Sequence, residues 1–128
     1  MKFFQLITNG RSGSDFFHSL IDNHNEIASL PGTIDLKDLK KKWYKIKQLN
    51  QFISYFIKNN RYLFNSKKNK DENHNKLGLK KNEFFFVDKK KFLQKFLEIN
   101  QNNTNFELIL INIHLSYYLI SRNKKINK

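Results

Sequence analysis

Residues 8–17 read Thr8-Asn9-Gly10-Arg11-Ser12-Gly13-Ser14-Asp15-Phe16-Phe17, and the fold expected of the chain turns on them. The apolar run Phe3 to Ile7 precedes this stretch, and an amphipathic segment with Phe16, Phe17, Leu20 and Ile21 on one face follows it. The pattern predicts a strand over Phe3–Thr8, a turn containing Gly10 and Gly13, and a helix over Ser14–Asn23. A helix N-terminus presents unpaired N–H groups and a partial positive charge, which together seat an anion. Glycine lets the backbone approach such a ligand closely, and an arginine adds a charge-assisted hydrogen-bonding fork. The stretch therefore points to an anion-binding loop.

It is not one of the common nucleotide loops. Gly10 and Gly13 are too close for G-x-x-x-x-G-K-[ST], and no lysine follows Gly13. The dinucleotide pattern G-x-G-x-x-G is also absent. Asn9 to Ser14 instead resembles the 5′-phosphosulfate-binding loop of the sulfotransferase family, whose usual form is G-x-[PG]-[KR]-S-G-[TS]-[TS]. The resemblance extends through Phe17 to Ile27, which is similar to the family's L-x-x-L-L-D-x-H-P-x-I run, with Asn25 in place of the proline.

The resemblance implies a P-loop-like three-layer α/β fold that binds 3′-phosphoadenosine 5′-phosphosulfate. The sulfuryl group would pass to a hydroxyl or amine of a small-molecule or glycan acceptor, without a metal. It also implies that Gly10, Arg11, Ser12, Gly13, Ser14 and Asp15 form the cofactor site. Arg11 would contact the 5′-phosphate, and Ser12, Gly13 and Ser14 would supply N–H and hydroxyl donors. Asp15 departs from the usual Ser/Thr; a carboxylate there suits the helix dipole but opposes a dianion, so it should cap the helix or point away.

Other parts of the family's machinery are missing. The 3′-phosphate site calls for an arginine at a strand end followed by a serine on the next helix. After the loop the chain has only Arg61 and Arg122, and neither has that setting. Ser29 to Thr33, where a base is often placed, has no suitable group. The 128 residues match the N-terminal half of such a domain. The expectation is thus an incomplete fold, with a βαβ unit over 1–34 and a helical region over 35–128, which pairs with a missing C-terminal half or self-associates. A non-catalytic remnant is the alternative.

Ile27 to Leu30, ended by Pro31-Gly32, is expected to be the second strand. Beyond Asp35 the periodicity turns helical. Leu49, Phe52, Ile53, Phe56 and Ile57 form one stripe, and Phe92, Leu93, Phe96 and Leu97 another, with Asp88 as N-cap. Ile109, Leu110, Ile113, Tyr117 and Ile120 form a third stripe on a helix over Phe106–Arg122. Lys67 to Lys81 is expected to be a loop, and Asn100 to Asn105 a linker.

The formal net charge of +13 invites a nucleic-acid module. Only three of the 24 basic residues are arginine, however, and the abundance of Lys, Asn, Ile and Phe is also what A/T-rich codons produce. No sequence-specific nucleic-acid partner is expected, although a surface this basic attracts polyanions at low salt. The absence of cysteine excludes disulfides and thiolate metal sites. His18, His24, His74 and His114 show no paired ligand spacing. No signal peptide or membrane span is expected, and the chain is placed in the cytoplasm.

Overall fold

The computed structural model describes residues 27, 29–31, 34–67 and 86–121. They form four α-helices and one short 3₁₀ turn: α1 (Leu36–Ile46), α2 (Leu49–Asn59), the turn Arg61–Leu63, α3 (Lys89–Asn100) and α4 (Phe106–Ser121). α1 packs on α2, and α3 on α4.

Local chemistry explains most of these boundaries. Asp35 caps α1, its side chain accepting a hydrogen bond from Asp38 N at 2.9 Å. The helix stops at Lys47, whose φ of 51° is left-handed, and the Lys47 N–H closes the last turn onto Trp43 O at 2.9 Å. α2 ends at Asn60, whose backbone N and side-chain Nδ2 both donate to Phe56 O, at 3.0 and 2.9 Å. Asp88 caps α3 through Lys90 N at 2.8 Å and Lys91 N at 3.2 Å, as the sequence predicts. At the α3–α4 connection Gln101 and Asn102 both take positive φ, 45° and 63°. Asn105 Oδ1 then accepts from Leu108 N at 2.9 Å and starts α4.

The core is aromatic. Phe52, Phe56, Phe64, Phe92 and Phe96 are fully buried, together with Ile53, Leu63, Ile109 and Ile113. Phe92 sits at its centre. Its ring centroid lies 5.1 Å from Phe64, 6.2 Å from Phe56, and 6.4 Å from both Phe96 and Tyr117. Trp43 packs edge-on to Phe52 at 5.2 Å, and Phe52 to Phe106 at 6.4 Å, which joins the α1–α2 pair to the α3–α4 pair. Tyr117 Oη donates to Leu63 O across the same seam.

The expected P-loop-like three-layer α/β fold is overturned. Among the described residues there is no sheet, and the one extended pairing is an isolated antiparallel bridge between Asn65 and Phe86. Ile27, Ser29 and Leu30 form no strand. Leu30 is instead only 3% exposed within the helical core. A short apolar run fits a strand or a loop anchored by one leucine equally well, and among the described residues no strand pairs with it. The strand expected over Phe3–Thr8 and the helix over Ser14–Asn23 lie outside the described residues.

The helical expectations fare better. The α2 and α3 stripes face the core as read, except that Leu97 is exposed. On α4, Ile109, Ile113 and Tyr117 are buried, and Leu110 and Ile120 pack partly against them.

Candidate functional site

The cofactor-binding residues expected from sequence, Gly10, Arg11, Ser12, Gly13, Ser14 and Asp15, lie outside the described residues, as does Arg122. Arg61 is described. It opens the 3₁₀ turn after α2, and its Nε donates to Lys58 O at 3.1 Å. That places it at the C-terminal end of a helix rather than at a strand end, so it does not reproduce the family's setting for a 3′-phosphate arginine.

The polar groups brought together by the described residues lie mostly at the α3–α4 connection. Asn100, only 2% exposed, donates through Nδ2 to Asn103 O at 2.9 Å. Its Oδ1 accepts from Asn112 Nδ2 at 3.0 Å. Asn103 Oδ1 accepts from Asn105 N at 2.9 Å, and Ser116 Oγ donates to Asn112 O at 2.6 Å. These bonds satisfy carbonyls and amides that a tight helix–helix turn would otherwise bury unpaired. They fix a connection and hold no nucleophile–base pair. The sequence pattern marks 100–105 only as a linker; that Asn100 is a buried bracket depends on Asn112, twelve residues away.

His114, on α4, is partly buried, and burial lowers its imidazole from 6.5 to about 4. It is neutral at pH 7 and suits a core role better than proton donation at that pH. Between α2 and α1, Tyr55 Oη donates to Asp38 Oδ2 at 2.6 Å. That hydrogen bond to a carboxylate raises the phenol's pKa, followed by small contributions from desolvation and the charges of Asp38 and Asp35. Among the described residues no group of three or more His, Asp or Glu side chains could hold a metal ion, and no helix is long and apolar enough to cross a membrane.

The most strongly charged element is α1. Its buried face is Leu39 and Trp43, and its outer face carries Lys37, Lys41 and Lys45 at four-residue intervals, all exposed, beside Tyr44 at 59% exposure. Two neighbouring lysines are engaged: Lys40 lies 3.7 Å from Glu107 and 5.9 Å from the Phe106 ring centroid, and Lys42 lies 4.7 Å from that of Tyr55. Compared with known protein families, curated proteins and solved structures, the chain finds no match.

Proposed function

We propose that this chain is a sulfotransferase-like protein that binds 3′-phosphoadenosine 5′-phosphosulfate through Gly10 to Asp15. The observation that carries this is the sequence Asn9-Gly10-Arg11-Ser12-Gly13-Ser14, continued by the Asp22-Asn23-His24 run. Arg11 pairs with the 5′-phosphate, and the donors of Ser12, Gly13 and Ser14 surround it. The proposal carries over the loop and its donor molecule and leaves the three-layer fold aside. The acceptor is a hydroxyl or amine on a small molecule or glycan.

Titration calorimetry with 3′-phosphoadenosine 5′-phosphate tests it. Saturable binding is expected, weakened about tenfold or more by Arg11→Ala, since a hydrogen bond to a charged group contributes roughly 1.5–3 kcal/mol. Absence of binding, or equal binding by the variant, removes the proposal.

A second reading, donor binding without transfer, is favoured by the position of Arg61 after α2 rather than at a strand end. Incubating the purified chain with labelled donor and a panel of hydroxyl and amine acceptors separates the two. Sulfated product would rule out the non-catalytic form.

A further inference from the structure

The outer face of α1 combines three features that a merely solvated helix does not need. Lys37, Lys41 and Lys45 stand one above another at i, i+4 and i+8, a spacing of about 6 Å per step along the axis. Like charges at this spacing disfavour the helix by a few tenths of a kcal/mol per pair. Among the described residues none of the three belongs to an ion pair, whereas Lys40 and Lys95 do. Nearby acids are turned elsewhere: Asp35 caps the helix start and Asp38 accepts from Tyr55.

The third feature is Tyr44, the most exposed large apolar side chain among the described residues. It lies one turn beyond Lys40 and Lys41, beside the ladder, while its neighbour Trp43 is buried in the core. A flat exposed ring beside a row of cations, on a helix that is itself anchored through Leu39 and Trp43, is a stacking platform beside a phosphate track.

We propose that the Lys37–Lys41–Lys45 face of α1, with Tyr44, is a docking surface for single-stranded nucleic acid, without sequence preference. Successive phosphates of one strand neutralise the ladder, and an unpaired base stacks on the Tyr44 ring. A duplex keeps its bases paired and offers the ring no such face, which selects the single strand. This surface rests on α1 and not on the reading of the Gly10–Asp15 loop.

The test is anisotropy titration of a labelled oligothymidylate of about twenty nucleotides with the full chain, at salt concentrations from about 50 to 200 mM. The triple variant Lys37→Gln/Lys41→Gln/Lys45→Gln is compared with a charge-matched control, Lys58→Gln/Lys90→Gln/Lys91→Gln, drawn from exposed lysines of α2 and α3. The ladder variant should bind at least about tenfold more weakly, and its log K against log salt slope should flatten by about 2, the contribution of three phosphates on a single strand. The control should change both quantities much less.

Tyr44→Ala alters no charge and decides the stacking element separately. It should weaken binding about tenfold at unchanged salt slope, with Tyr44→Phe restoring the affinity. Equal losses in the two triple variants would overturn the proposal, reducing the ladder to general counterion attraction. Wild-type affinity in Tyr44→Ala would also overturn it. So would tighter binding to a heparin-like polysaccharide, or to vesicles containing phosphatidylglycerol, than to the oligonucleotide.

Discussion

His114 shows how one side chain can tie stability to pH. Burial on α4 depresses its pKa to about 4, while the unfolded chain retains the ordinary value of 6.5. Between those values the unfolded state binds more protons, so stability rises with pH through this window and levels off above it. As pH falls from 6.5 to 4 the chain should lose up to about 3 kcal/mol from this group alone, at roughly 1.4 kcal/mol per unit. Urea midpoints measured from pH 4 to 7 check the slope, and His114→Gln, which cannot titrate, should flatten it. A sequence does not announce such a group. His114 sits among apolar neighbours in the chain, which suggests a core position, but the size of its desolvation depends on what packs around α4.

Helix boundaries follow side-chain chemistry where that chemistry is local and escape notice where it is not. Asp88 is legible as a cap because an Asx side chain just before a helical stripe satisfies amides that the helix leaves open. The break between α1 and α2 is not legible, since Lys47 is an ordinary helix former forced into left-handed geometry. Relieving that strain should be favourable: Lys47→Gly is expected to raise the thermal midpoint, by about 0.5–1 kcal/mol of stability. Scanning calorimetry of the variant gives the sign, and a lower midpoint would mean that the lysine side chain contributes more than its backbone geometry costs. The misread strand at Ile27–Leu30 has the same origin. Short apolar runs acquire their identity from partners elsewhere in the chain, and Leu30 found the helical core. The candidate loop at Gly10–Asp15 lies outside the described residues, and its reading rests on the sequence and the resemblance it carries.

For the molecule as a whole, stability is concentrated in one ring. Phe92 touches the rings of Phe56, Phe64, Phe96 and Tyr117, so it joins α2, the segment after the 3₁₀ turn, α3 and α4. Truncating a buried phenylalanine costs about 3–5 kcal/mol, much of the roughly 5–15 kcal/mol available to a small domain. Phe92→Ala should therefore lose its cooperative thermal transition by circular dichroism, whereas Leu108→Ala, at an exposed side chain, should melt close to the parent chain. The same seam contains a pinch point. Val87 N donates to Phe64 O at 2.9 Å, beside the Asn65–Phe86 bridge, and Phe64 and Val87 are both buried. Asn65 and Phe86 are therefore pinned side by side although far apart in the sequence. Backbone bonds at this neck thus tie the α1–α2 half to the α3–α4 half independently of the rings, so a substitution that loosens the aromatic core leaves one fastening between them in place.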